Sequence, residues 1–281
     1  MKNSMGKAML KRANINKTVR NPAVSGQFYP SDPAQLSREV KEYLKVSPSV
    51  PDPINSKEIK ALIVPHAGYI YSGSIAGSAY SLLPRQNENI KRIVLLGPSH
   101  HVAIRGCATS SADFFSTPLG DIQLDRKLIN ELEKSVQINC HDNAHIQEHS
   151  LEVQLPFLQE FLADFLLVPL VVGQWSLDQA NLFFDKISRL ENTLIIISTD
   201  LSHFHSHKDA QNIDANTSKE ILNFENNLIG EQACGCQPLN ALLHWAKQQD
   251  WNIKMLGLKN SGDSAGDKDR VVGYGSFVLY E

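Results

Sequence analysis

Four short, nearly unbroken apolar runs punctuate the chain: ALIVP (61–65), RIVLLG (92–97), FLLVPLVVG (165–173) and TLIIIST (193–199). None alternates strictly between apolar and polar, so each suits a strand covered on both faces, as in a parallel sheet. Helix-length segments separate them. Ser74 to Leu83 predicts a helix opened by a glycine-rich turn, and Leu177 to Leu190 predicts another. In HSLEVQLPFLQEFLA, Leu151, Leu155, Leu158 and Leu162 mark a helical stripe, while Pro156 predicts a kink or a late start. PLNALLHWAKQQ reads as a further helix with Pro238 in its first turn. WNIKMLGLKN and DRVVGYGSFVLY read as two more strands at an edge of the sheet. Strands alternating with helices predict a three-layer αβα fold with a mostly parallel central sheet.

Composition sets the boundaries of this domain. PSVPDPINSKE (47–57) reads as a loop between an N-terminal helical stretch and the main body. The first twenty residues hold six Lys/Arg and no acid. They lack the long apolar core and cleavage site of a secretory signal. They read as a flexible basic arm or as sequence upstream of a start at Met5, with a nucleic-acid-binding tail as the alternative. The predicted organisation is an arm over 1–20 and a single α/β domain over 21–281. Beyond the arm, 21 basic residues face 30 acidic ones, which argues against nucleic acid as the main partner. No stretch approaches 18 consecutive apolar residues, so no membrane-spanning helix is predicted. Four cysteines in 281 residues do not make a disulfide framework. They predict a reducing, cytoplasmic setting, where a special cysteine is a ligand or a nucleophile.

The chemistry gathers where the apolar runs end, the edge at which open α/β sheets carry their functional groups. ALIVP leads into His66, RIVLLG into Pro98-Ser99-His100-His101, and TLIIIST into Asp200-Leu201-Ser202-His203. A single loop histidine is most often just hydrogen-bonded, but three coincident strand ends point to one site. EQACGCQP (231–238) brings a fourth contributor beside a helix N-terminus, where the backbone dipole favours a thiolate. Cys107 and Cys140 have no such setting and read as structural. Two histidines and a cysteine with an open position would hold a catalytic metal, and a thiolate admits Fe(II), Cu or Zn. His101 is expected to point away from His100, and His205 and His207 to be solvated. Glu148, His149 and Glu152 form a second polar knot, with His149 and Glu152 on one helix face, lining the pocket or bonding the helix start. Tyr69 and Tyr71 read as pocket wall or as packing under the loop. SGDSAGDKD (261–269) lacks EF-hand and P-loop spacing and reads as a turn-rich loop near the site.

PHAGYIYSGSIAGSAY, LLGPSHH, EHSLEVQLPFLQ, STDLSHF and NSGDSAGDKDRVVGY, with NPAVSGQFYPSDP at 21–33, together resemble the Memo family, in particular its prokaryotic AmmeMemoRadiSam system protein B group. The resemblance spans about residues 20–281 and implies kinship with the class III extradiol (LigB-type) dioxygenases and their three-layer α/β fold. It implies that His66, His100 and Cys234 are metal ligands, the thiol standing where the dioxygenases have a glutamate. Asp200 and His203 match the polar pair beside that site, and the corresponding dioxygenase histidine is an acid/base. Cys236-Gln237-Pro238 departs from the family's usual Arg-His-Pro context, which makes Cys236 a competitor for the ligand role or a redox partner.

The first functional expectation is a metal-dependent oxidoreductase, dioxygenase-like, using one metal ion, Fe(II) before Cu or Zn. His203 then moves protons and Asp200 orients the loop or a histidine, while Tyr69, His101, Glu148, His149 and Cys236 line or support the pocket. The alternatives are a non-catalytic metal- or peptide-binding scaffold and an accessory component beside a radical SAM enzyme. Expected partners are a small-molecule or peptide ligand and radical SAM system proteins, with neither nucleic acid nor membrane.

Overall fold

The computed structural model describes residues 17–45, 58–83, 89–136, 138–162 and 164–281. The predicted loop at 47–57 and all but the last four residues of the predicted arm lie outside the described residues. The described strands are β1 (Val19–Arg20), β2 (Ile59–Val64), β3 (Arg92–Pro98), β4 (Cys107–Thr109), β5 (Phe114–Thr117), β6 (Gly120–Gln123), β7 (Asn139–Cys140), β8 (Leu166–Val172), β9 (Thr193–Ser198), β10 (His203–His205), β11 (Asn252–Asn260) and β12 (Val271–Tyr280). The helices are α1 (Pro33–Tyr43), α2 (Tyr69–Tyr80), α3 (Arg126–Ser135), α4 (Asn143–Ile146), α5 (Leu155–Phe161), α6 (Leu177–Ile187), α7 (His207–Leu222) and α8 (Cys236–Gln248).

The four apolar runs become β2, β3, β8 and β9, which lie side by side as β2-β9-β3-β8 and are parallel throughout. Their residues are almost wholly buried, which explains why the runs do not alternate. Outside this centre the sheet is mixed. β12 runs antiparallel to β2, β10 and β11, with β11 along one edge and β2 followed by β10 along the other, and β4 is antiparallel to β8. Helices cover both faces. Ser276 of β12 hydrogen-bonds Ser78 of α2 at 2.8 Å, while Gly273, on the opposite face, lies against Asp214 of α7. A Cβ on Gly273 would fall 2.0 Å from Asp214 Oδ2, so only glycine lets that helix approach. Among the described residues, no helix is long and apolar enough to cross a membrane.

Two local differences from the sequence pattern have physical causes. Helix α2 begins at Tyr69 rather than Ser74, so Gly73 and Gly77 are helical and not part of a turn. They are where α1 crosses: a Cβ would meet the Tyr43 ring at 2.6 Å from Gly73 and the Tyr43 carbonyl at 2.5 Å from Gly77. The stretch around Pro156 starts late. A 3₁₀ turn over Glu152–Gln154 leads into α5, with Pro156 in the first turn, where its missing N–H costs nothing. Order also begins before residue 21. Arg20 ends β1, which pairs with β5 in a small sheet of β1, β5 and β6, and its guanidinium is buried against Glu152.

Candidate metal centre

The carboxyl ends of β2, β3 and β9 meet at one edge, and each delivers a side chain to the same point. His66, two residues past β2, is 2 % exposed. Its backbone N–H donates to Asp200 Oδ1 at 2.7 Å, which ties the end of β2 to the end of β9. Its Nδ1 lies 3.0 Å from Ser198 Oγ. The proton on that bond can be assigned. Ser198 has one hydroxyl proton, and it goes to the Ser150 carbonyl at 2.6 Å, a group that only accepts. Ser198 Oγ therefore accepts from His66 Nδ1–H and from Gln154 Nε2 at 2.9 Å. The Nε2 lone pair of His66 is left facing the site.

His100 is fixed by the same logic. Its Nδ1 sits 2.8 Å from Glu148 Oε1, and its backbone N–H donates to Glu148 Oε2 at 2.7 Å. Burial opposes ionisation of Glu148. The hydrogen bonds and charge of His100, together with the Ser150 N–H, outweigh it and hold the carboxyl at about 2. The ionised carboxylate can only accept, so His100 Nδ1 carries a proton and Nε2 is the nitrogen turned towards the site.

His149 completes a group with these two. Its ring stacks on His100 with centroids 4.6 Å apart and meets His66 edge-on at 5.4 Å. One ring nitrogen from each of His66, His100 and His149 lies within 4.8 Å of the other two, close enough to hold a metal ion. Burial, then the neighbouring His100, pushes His149 down to about 4 and His66 well below the usual imidazole range. Both rings are neutral at pH 7, the form that binds metal.

Cys234 flanks the group on the His66 side, with Sγ 3.3 Å from His66 Nε2. Burial and the Asp200 carboxylate push its thiol up to about 12, so without metal the S–H donates to that lone pair. Two contacts bring it there. The Asp200 N–H points at Sγ from 3.3 Å, and Gly235 N–H donates to Thr199 Oγ1 at 2.9 Å. A Cβ on Gly235 would stand 2.7 Å from Thr199 Cβ, so the chain passes β9 only because residue 235 is glycine. Cys236, two residues on, opens α8 and is buried among the apolar core residues.

The remaining sequence-derived candidates separate clearly. Asp200 is buried, accepts the His66 and Ala67 N–H groups, and is raised by burial to about 7. His203, in β10, is partly buried and depressed by that burial, with a ring N–H to the Leu201 carbonyl. It is near enough that a proton on it would disfavour one on His66. His101 is exposed, with its ring centroid 6.5 Å from that of His149. Tyr69 does not line the pocket. It packs against Tyr29, Tyr43 and Phe157, and its hydroxyl donates to the Val153 carbonyl at 2.7 Å. His207 is not simply solvated, since its Nε2 bonds Asp263 Oδ1 at 2.7 Å.

Sequence reasoning left His149 between the pocket wall and a hydrogen bond at the helix start, and gave Ser198, Ser150, Gln154 and Arg20 no role. The neighbourhood of Glu148 and His149 was visible as a polar knot. The serines carried no signal, because a serine at a strand end is unremarkable until its hydrogen bonds are known.

The donor chemistry fits a resident metal. Two imidazoles present fixed Nε2 lone pairs, a third stacks beside them, and a thiol adjoins.

Comparison with known proteins agrees with the motifs. The sequence matches the Memo-like protein family over residues 20–278. A MEMO1 family protein of Methanosarcina mazei is 34% identical over 274 residues, covering 93% of this chain and 99% of that one. Another, from Methanocaldococcus jannaschii, is 34% identical over 288 residues, covering 94% and 100%. Among solved structures, an uncharacterized protein of Escherichia coli K12 aligns with a TM-score of 0.47 at 13% identity, covering 78% of this chain and 99% of that one. The chain belongs to the Memo-like protein family.

Proposed function

We propose that this protein is a metal-dependent oxidoreductase of the dioxygenase-like type. It holds one metal ion, Fe(II) in preference to Cu or Zn, on His66, His100 and Cys234, with His149 on the same face. The observation that carries the reading is the pair of fixed, outward Nε2 lone pairs on His66 and His100 with Cys234 Sγ 3.3 Å from the first. Hydrogen bonds on the far nitrogens of metal-binding histidines set tautomer and orientation in this way. When bound, the metal supplies redox chemistry at its open coordination positions.

The protein's own groups have distinct tasks in this reading. Glu148 keeps His100 in the binding tautomer, and Ser198 does so for His66. Asp200 accepts the N–H groups of His66 and Ala67 and locks two strand ends together. His203 is neutral at pH 7 because burial lowers it, and its Leu201 hydrogen bond leaves the other ring nitrogen free to take a proton from a substrate hydroxyl. His100 and His149 are 29% and 20% exposed, so the open face lies on their side, away from buried His66.

The test is metal content and oxidation state after anaerobic purification, followed by oxygen uptake with candidate substrates. About one iron per chain in the wild type, lost in His66→Ala, His100→Ala and Cys234→Ala, supports the site. His203→Gln should keep the metal and lose oxygen-dependent turnover. A wild type that takes up no metal under any loading condition would leave a binding scaffold as the better reading.

A further inference from the structure

Arg20 lies in the segment whose sequence suggested only a basic arm, yet its guanidinium grips the turn that carries Glu148 and His149 at three points. Nε donates to the His145 carbonyl at 3.0 Å, one terminal nitrogen to the Glu148 carbonyl at 2.6 Å, and the other to Glu152. Glu152 is fully buried and is gripped in turn. It accepts the Ala23 N–H at 2.7 Å, the Val24 N–H at 3.0 Å and the Tyr29 hydroxyl at 2.5 Å. The same segment supplies Phe28, whose ring packs against that of His149 at 4.9 Å and whose carbonyl receives the Tyr69 N–H that starts α2.

Both side chains held between these anchor points belong to the centre. Glu148 fixes the tautomer of His100, and the His149 ring lies on His100. A stabilising role alone does not require this arrangement, because a buried ion pair adds little over well-packed apolar side chains of similar volume. What it adds is a planar fork of donors that sets two carbonyls and a carboxylate at fixed separations, which an ammonium cannot copy.

We propose that Arg20, acting through Glu152 and the 145–148 carbonyls, is a positioning residue that sets the places of Glu148 and His149 in the metal centre. The proposal rests on the metal-site reading above. It makes the strand β1 and the Arg20–Tyr29 segment part of the centre's supporting wall.

The experiment uses the full chain with Arg20→Lys, which keeps the charge opposite Glu152 but not the fork, and Arg20→Met/Glu152→Leu, which replaces the pair by apolar groups. Co(II) affinity by competition titration and the visible Co(II) spectrum are compared with thermal midpoints. Affinity about 10–100-fold weaker with an altered spectrum, in a variant that melts within a few degrees of wild type, is the expected result. Wild-type affinity and spectrum in Arg20→Lys would overturn the proposal, and this variant alone decides if the double variant does not fold. Failure of the wild type to bind Co(II) would count against the metal reading itself. The positioning claim is then read from the imidazole nitrogen resonances of His100 and His149 in metal-free protein, which must shift in Arg20→Lys if it is right and stay in place if it is wrong.

Discussion

Ser198 Oγ stands 3.0 Å from His66 Nδ1 and passes its own proton to the Ser150 carbonyl, so one hydroxyl decides which nitrogen of His66 faces the centre. In Ser198→Ala, the Nδ1–H loses its acceptor and Gln154 loses one of its two. The ring is then free to take the other tautomer. Metal affinity should fall about 10–100-fold, the usual cost of losing an outer hydrogen bond on a metal-binding histidine. Isothermal competition against a chelator measures it. An unchanged affinity would show that the strand end, and not the hydroxyl, orients the ring.

Cys234 and Cys236 lie two residues apart, yet only the first reaches His66. Cys234→Ser should abolish the thiolate-to-metal charge-transfer absorption of the Co(II)-loaded protein. Cys236→Ser should keep it but destabilise the fold by about 1–3 kcal/mol, since a hydroxyl replaces a thiol among apolar neighbours. Because the Cys234 thiol is pushed up to about 12, metal uptake must displace its proton. Apparent affinity should therefore rise between pH 6 and pH 8 in the wild type, and more gently in Cys234→Ser. Equal pH dependence in both would remove Cys234 from the ligand set.

The parallel centre of the sheet could be read from the apolar runs because strands buried on both faces leave an uninterrupted apolar signature. His66, His100, Asp200 and His203 were visible for a related reason, since the strand ends that carry them are marked by those runs. The antiparallel flanks were less legible. β4 and β7 are three and two residues long, too short for a periodic pattern. Arg20 was misplaced because composition counts a buried arginine and a solvated one alike. His149 was seen only as one member of a polar knot, since its place depends on how the 145–152 turn is anchored to a segment more than a hundred residues away.

Gly235 tests whether the path of the backbone past β9 is what delivers the thiol. In Gly235→Ala, the new Cβ would come within 2.8 Å of the Ser198 carbonyl as well as striking Thr199. Neither is the far end of a flexible side chain, so the 234–236 segment must move away. We expect a loss of about 1–3 kcal/mol in urea unfolding, typical of overpacking, together with loss of the Co(II)–thiolate band. Retention of the band would mean that the segment shifts without carrying Cys234 from His66.

Acid titration of the metal-free protein tests the electrostatics of the knot. Glu148 is held at about 2 against an ordinary value of 4.5, so the folded state binds fewer protons than the unfolded state between these limits. Its contribution is complete above pH 4.5 and is lost as pH falls towards 2, with a size on the order of 3 kcal/mol. His149, lowered to about 4 from 6.5, acts in the same direction over a higher window, because its protonation favours the unfolded chain as pH falls from 6.5 to 4. Two successive declines in stability should therefore appear in urea titrations, the first between pH 6.5 and 4 and the second below pH 4.5. His149→Gln should make the first shallower, leaving the share of buried His66 and His145, and Glu148→Gln should do the same to the second, apart from the mutual contact of 3.7 Å between the two residues. A first decline as steep in His149→Gln as in the wild type would mean that His149 is not held below its ordinary value in the folded protein.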